Sequence, residues 1–341
     1  MKISSSLFIL ATALAFTACS DNDDSGAPKD TAKINFSVSV PKSPRAVTTT
    51  SSINQFKTWG YVNQKVYMED VTVNRVDNGS WSYQPAQYWP ADEQKVNFYS
   101  YSPADLSTET PNTPDNPDIP GFINNGTTDL LYGVNIGESS KSSVVKINFR
   151  HALAQVKFLF KRMTPPDSPQ PIDVKVRNVT VTGTYSKASF HFPTETTAAE
   201  NPIVGEWVEP TDIKDMAIFD GEKSLTDEAV ELNSTGNMFA IPQDLTESTD
   251  VTKTDNGAYV KVLCDIYDQK TGTKLWPSQS DETYDPATGA GYLYFPLNNN
   301  SAIEQWDAGR SYRYVLTIGV PKDSSGYIDF DITVDDYEEF D

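Results

Sequence analysis

The chain has 341 residues, and its 27 Lys+Arg against 47 Asp+Glu give a formal net charge of −20. A surface so acidic repels phosphate backbones, which excludes nucleic acid as a partner. An apolar fraction of 38% with 11% aromatics is too rich for a disordered chain, while 2 His and 2 Cys, far apart, leave no ligand set for zinc, iron–sulfur or haem attachment and no disulfide framework, so no cofactor is expected.

Met1–Ala18 carries one basic residue, Lys2, then an apolar run from Leu7 to Phe16, and reads as a signal peptide too short to span a membrane in the mature protein. Phe16-Thr17-Ala18-Cys19 resembles a bacterial lipobox, with Phe where Leu is commonest, and makes Cys19 the expected lipidation site. The other reading is an ordinary secretory signal followed by a chance cysteine. Ser20-Asp21-Asn22-Asp23-Asp24 resembles a surface-export signal and reads equally as a solvated tether. Asp21, Asp23, Ser25 and Gly26 imitate the start of a calcium loop, but Ala32 occupies the twelfth position where a carboxylate is required, so no metal is expected there.

Lys33–Val40 alternates strictly, with Ile34, Phe36, Val38 and Val40 on one face, and predicts a half-buried strand. Pro41-Lys42-Ser43-Pro44-Arg45 ends it with a basic, extended linker, and a Thr/Ser-rich stretch follows. Asp77-Asn78-Gly79-Ser80 supplies a hairpin turn between strands at Val71–Val76 and Trp81–Tyr83. Further strands are predicted at Lys95–Tyr101, Val144–Phe149, Ala154–Lys161, Val174–Thr182, Tyr259–Ile266 after an Asn256-Gly257 turn, Tyr292–Leu297, Ser311–Val320 and Tyr327–Val334. Pro103–Asp118 reads as a surface loop, and Pro193–Glu209, with weak alternation, as a domain boundary. Helical periodicity is confined to a short turn at Ile303–Ala308. With no repeat at about 40–50 residues, the expected class is all-β, as tandem sandwiches rather than a propeller.

Chemistry-bearing residues are sparse. Cys264 lies on the apolar face of its strand with Val260, Val262 and Ile266 and reads as a small core residue. His151 and His191 sit at strand ends without a Ser/His/Asp or Cys/His grouping. Acidic pairs such as Asp335-Asp336 and Glu338-Glu339 could in principle serve glycoside hydrolysis, yet 47 acids supply such pairs by chance, and the chain is read as a non-enzyme. A dense aromatic set, Trp59, Tyr61, Trp81, Tyr83, Tyr88 and Trp89, fits either sandwich packing or a sugar-stacking platform.

Four sets of segments follow one another along the chain: Trp81 with Tyr88-Trp89-Pro90 and Val96-Asn97-Phe98-Tyr99-Ser100-Tyr101-Ser102-Pro103; Phe149-Arg150-His151-Ala152-Leu153-Ala154-Gln155-Val156-Lys157-Phe158; Met238-Phe239-Ala240-Ile241-Pro242-Gln243; and Trp306 with Gly309-Arg310-Ser311-Tyr312-Arg313-Tyr314. Together and in this order they resemble the fimbrillin-like family, the subunits of type V pili in Gram-negative anaerobes. The resemblance implies two tandem β-sandwich domains of transthyretin-like, Greek-key type. The expected divisions are 1–18 as signal peptide, 19–45 as propeptide with a detachable strand, and sandwiches over 46–195 and 196–341. It also implies an outer-membrane lipid anchor, trimming between Arg45 and Ala46 by a trypsin-like protease, polymerisation with other pilin subunits by strand exchange, and adhesion to a host or bacterial surface receptor. An exposed, Pro-flanked Arg45 after an amphipathic strand fits such a cut; the other reading is an ordinary linker arginine. Ile328, Phe330, Ile332 and Val334 repeat the four-residue spacing of the N-terminal strand and make a candidate donor, or else the last strand of the second sandwich. Only the acidic tail Asp336–Asp341 follows, so no separate extension is expected, and a stalk, tip, minor or non-polymerising role stays open. The alternative function is a monomeric carbohydrate-binding surface lipoprotein.

Overall fold

The computed structural model describes residues 32–40, 48–77, 79–106, 118–163, 171–198, 203–233, 236–248, 257–298 and 303–319, and the backbone of the strand Ile328–Asp336. Cys19, Arg45, Ala46, Asn78, Asn256 and residues 107–117 of the predicted Pro103–Asp118 loop lie outside the described residues.

All the strands and helices assigned among the described residues are strands, in agreement with the all-β expectation. The first half contains β1 (Phe36–Ser39), β2 (Gln55–Val62), β3 (Lys65–Arg75), β4 (Trp81–Ser82), β5 (Val96–Ser102), β6 (Ile119–Ile123), β7 (Leu131–Glu138), β8 (Val145–Asn148) and β9 (Arg150–His151). An antiparallel sheet runs in the order β4-β3-β2-β5-β7-β9. Over it lies a two-stranded layer in which β1 pairs with β8 in parallel, Phe36 opposite Val145 and Ser39 opposite Asn148. Parallel pairing needs a long connection, and more than a hundred residues separate the two partners. The core between the layers joins Ile34 and Phe36 to Phe56, Met68, Val96, Phe98, Val145, Ile147 and Phe149.

The second half contains β10 (Ala154–Arg162), β11 (Ile172–Thr182), β12 (Tyr185–His191), β13 (Glu206–Ile213), β14 (Met216–Ser224), β15 (Val230–Glu231), β16 (Met238–Ala240), β17 (Gln243–Asp244), β18 (Tyr259–Asp268), β19 (Lys274–Trp276), β20 (Gly291–Pro296), β21 (Gln305–Trp306), β22 (Arg310–Ile318) and β23 (Ile328–Asp336). One sheet orders β15-β10-β22-β23 with β16 also on β10; another orders β14-β11-β18-β19 with β20 also on β18. Alternate residues of both sheets, Val156, Phe158 and Tyr314 from one and Val174, Val179, Val262 and Phe295 from the other, share one core.

The Pro/Gly signals at Pro193–Glu209 do not separate these cores. The first core ends at Phe149 and the second begins at Ala154, so β10 and β11, assigned by sequence to the first domain, pack in the second. The signals mark instead the connection between β12 and β13, which with β6 form a small sheet in the order β13-β12-β6. Its cluster takes Phe122 and Tyr132 from the first half and Phe190, Phe239 and Ile241 from the second. The connection also binds the first sheet directly: Val134 N donates to Thr197 Oγ1 at 3.0 Å, Thr197 N to Val134 O at 2.9 Å, and Asn148 Nδ2 to Thr197 O at 3.1 Å. The turn read at Ile303–Ala308 contains no helix; Gln305 and Trp306 form β21 against β17 because Trp306 is drawn into the core, donating from Nε1 to Tyr314 Oη at 2.9 Å.

Candidate functional site

The N-terminal strand occupies a built seat. Ile34 is 0% exposed and Phe36 and Val40 6% each, with Val38 half-buried beside them. The Phe36 ring meets Phe98 at 5.5 Å, Tyr83 at 5.6 Å and Phe56 at 5.9 Å between centroids. These edge and tilted contacts are the geometry in which aromatic rings attract beyond simple area burial. Alternation in the sequence places these side chains inward because successive strand residues point to opposite faces.

The backbone of the same segment is held at several points. Ile34 N donates to Gln87 O at 2.9 Å, and Trp89 N to Ala32 O at 3.0 Å. Val145 N donates to Asn35 O at 2.8 Å, Phe149 N to Ser39 O at 2.9 Å, and Val40 N to Thr50 Oγ1 at 2.9 Å. Tyr83 Oη donates to Ile34 O at 2.8 Å, and burial pushes its pKa up to about 12, so the donor keeps its proton at neutral pH. Lys33 Nζ lies 5.3 Å from the centre of the Tyr83 ring. The seat therefore combines apolar pockets with main-chain partners, the two components of strand-in-groove recognition.

The second set of predicted residues lies at the far end of the chain. Ile328, Phe330, Ile332 and Val334 belong to β23, whose backbone runs antiparallel to β22 in the register Ile318↔Ile328, Leu316↔Phe330, Tyr314↔Ile332 and Tyr312↔Val334. β23 is the terminal strand of the order β15-β10-β22-β23. The two predicted strands are thus in separate sheets.

The aromatic set does not form an exposed platform. Trp59, Tyr61, Tyr83 and Trp89 are buried, and Trp81 and Tyr88 are half-buried. Tyr83, Trp89 and Trp81 are walls of the first core, Trp81 lying 5.1 Å from Phe56. His151 is held inside the fold, its Nδ1 3.0 Å from Asp129 Oδ1, and His191 Nε2 lies 3.5 Å from Asp118 Oδ2 at the end of β12. Cys264 is fully buried in the second core, where burial first and then the neighbouring Asp265 raise its thiol pKa far above the ordinary range. Sequence reasoning placed a strand at Val144–Phe149, where β8 lies, but not its parallel pairing with β1, whose register has no local signal.

The sequence profile of a family described as fimbrillin-like matches residues 32–336. A curated relative, the fimbrium subunit Fim1C of Phocaeicola vulgatus, is 23% identical over 332 residues, covering 88% of this chain and 78% of its own. The crystal structure of a fimbrial protein from Bacteroides vulgatus superposes with a TM-score of 0.58 at 17% identity, covering 89% of this chain and 99% of that one, a likeness of fold.

Proposed function

The chain belongs to the fimbrillin-like family, and from that premise we propose that it is a structural subunit, at the tip, in the stalk or as a minor component, of a type V pilus on the cell surface that supports adhesion. In this reading residues 1–18 direct export, Cys19 receives the lipid that anchors the chain in the outer membrane, and a trypsin-like protease cuts between Arg45 and Ala46. Loss of the strand carrying Ile34, Phe36, Val38 and Val40 then opens its seat to a strand from another subunit, with Ile328, Phe330, Ile332 and Val334 the candidate donor. The chain acts without catalysis and takes no cofactor.

The observation that carries this reading is the burial of Ile34, Phe36 and Val40 in a segment that immediately precedes the basic linker Pro41-Lys42-Ser43-Pro44-Arg45. At about 1.5–3 kcal/mol per fully buried side chain, emptying the seat exposes roughly 5–9 kcal/mol of apolar contact before entropy and chain compaction are counted. That is enough to make refilling by a neighbour strongly favourable. The alternative of a sugar binder built on Trp59, Tyr61, Trp81, Tyr83, Tyr88 and Trp89 loses its platform, because those rings are turned into packing.

Mild trypsin treatment of the chain beginning at residue 20, followed by N-terminal sequencing and size analysis, tests the reading. A new terminus at Ala46, release of the Ile34–Val40 strand and growth of SDS-resistant oligomers are expected. A stable monomer after cleavage, or a chain protected at Arg45, overturns the strand-exchange step. Assembly resting on buried apolar contacts is expected to persist in moderate salt, since the exterior charge of −20 is self-repelling.

A further inference from the structure

Between the start of β13 and the short β17–β21 ladder lies an open groove of about 740 Å³, within the range of roughly 300–1,000 Å³ typical of small-ligand sites. Its two sides come from different sheets, and they are joined where Tyr185 N donates to Gln243 Oε1 at 2.8 Å. Trp207, half-buried, lines the groove with its ring fixed in place. Its Nε1 donates to Ala152 O at 2.7 Å, and its ring packs on Phe190 at 5.1 Å and Phe122 at 5.5 Å. A ring so held loses little freedom when a ligand settles on it. Next to it Val204 is 54% exposed, a large apolar side chain left in solvent at the mouth.

The polar lining is one-sided in charge. Glu206 and Asp244 are exposed and Asp307 is half-buried, while neither Lys nor Arg contributes to the described lining. Asp307 is pre-oriented: Gln305 Nε2 donates to its Oδ1 at 2.6 Å and Tyr312 Oη to its Oδ2 at 3.3 Å. Carboxylates only accept hydrogen bonds, so the occupant must be rich in donors and carry no negative charge. An added peptide strand is disfavoured at this edge, because Pro210 offers no N–H and the positive φ of Glu209 (53°) and Asp212 (54°) breaks the regular ladder of β13.

We propose that this groove binds a neutral saccharide chain, with a sugar ring against Trp207 and its hydroxyls donating to Glu206, Asp244 and Asp307. Sugar rings present apolar C–H faces to an aromatic ring and hydroxyl donors around the rim, which is the pairing the lining offers. The site depends on the folded chain alone and goes beyond the polymerisation reading, so it is tested on uncleaved monomer and survives if strand exchange fails.

The experiment is saturation-transfer NMR and titration of the chain beginning at residue 20 with cellotriose, mannotriose and N-acetylchitotriose, alongside sialyllactose as an anionic probe and a Lys/Pro-rich peptide as a cationic one. At least one neutral trisaccharide is expected to bind with a dissociation constant in about the millimolar range or tighter. Trp207→Ala is expected to abolish that signal. Because Trp207 also packs on Phe190, the exposed Glu206→Ala and the isosteric Asp307→Asn serve as second variants, each weakening binding about three- to tenfold with the unfolding midpoint unchanged. Absence of binding by every neutral probe, undiminished binding in all three variants, or preference for the anionic or cationic probe overturns the proposal.

Discussion

Ser39 Oγ donates to Asn148 Oδ1 at 2.6 Å across the parallel pair β1–β8, and the same Asn148 donates from Nδ2 to Thr197 O at 3.1 Å. One amide thus ties the N-terminal strand, the first core and the connection from the second half of the chain. Asn148→Ala removes both bonds and is expected to cost about 1–3 kcal/mol. Asn148→Asp keeps the acceptor for Ser39 but turns a carboxylate oxygen toward Thr197 O, acceptor against acceptor, and is expected to cost at least as much. Hydrogen exchange at the amides of Val145 and Phe149, which donate to Asn35 and Ser39, checks this: faster exchange is expected in both variants.

Phe36 is the anchor of the seat because three rings close on it. Phe36→Ala is expected to destabilise the uncleaved chain by about 3–5 kcal/mol, the cost of a vacated aromatic site. Ser37, on the opposite face, is expected to tolerate Ala within about 0.5 kcal/mol. Urea unfolding of the two variants reads the difference; equal effects would mean that the strand contributes nothing to the core.

Gly133 of β7 sets the distance between the two layers of the first half. A Cβ there would stand 2.6 Å from Ile147 Cγ2 of β8. Gly133→Ala therefore pushes β8, and β1 with it, off the sheet, at about 1–3 kcal/mol for an overpacked core. Trypsin susceptibility of the segment before Ala46 is expected to rise in this variant. The analogous change at exposed Gly236, around which a Cβ meets nothing within 4 Å, leaves that segment unaffected, although its φ of 90° makes alanine locally strained.

Strands with alternating apolar residues, such as β1, β10 and β11, are legible in the sequence. β18 and most of β22 are buried on both faces and are legible through their density of β-branched and aromatic residues instead. In β7, Leu131 to Asn135 are all buried, since Gly133 faces Ile147 of β8 while Phe190 and Phe192 pack on Tyr132 on the opposite side, and no period-two pattern survives. In β2, Trp59 and Tyr61 fill the outer face while Phe56 and Thr58 fill the inner one. β13 contains Pro210 and reads as loop. The groove at Trp207 unites segments about a hundred residues apart in sequence, and no local spacing announces such a meeting.

Two turns of the second half are expected to contribute to acid stability. Asp268 accepts from Thr271 N and Lys270 N at 2.8 Å each, and Asp285 accepts from Thr288 Oγ1 at 2.6 Å and Ala287 N at 3.1 Å. These bonds, the Thr271 amide foremost for Asp268 and the Thr288 hydroxyl for Asp285, hold both carboxyls below the usual carboxylate range. A carboxyl whose pKa is depressed by folding contributes stability above its unfolded pKa and loses it as pH falls through the folded value. The loss is therefore expected below about pH 4. Asp268→Asn with Asp285→Asn keeps the side-chain acceptors and removes the titration, so the midpoint of thermal unfolding is expected to fall less steeply on acidification than in the parent chain. An unchanged acid limb would assign the pH dependence to other carboxyls.

Cys264 supplies a reporter of opening in the second core. It is 0% exposed between β11 and β20, opposite Val176 on one side and Gly291 on the other. Reaction with an aromatic disulfide reagent requires the thiolate, and burial together with Asp265 disfavours it. In the chain beginning at residue 20, where Cys264 is the remaining cysteine, labelling is expected to be negligible under native conditions and complete in denaturant. Its native rate then measures the opening of the β11–β18–β20 sheet. Phe36→Ala acts in the first core, which ends before β10, so it is expected to accelerate labelling only to the extent that the two cores unfold together. A rate that follows the whole loss of stability would make them one cooperative unit; a rate left untouched would make the first core free to empty its N-terminal strand while the second stays closed.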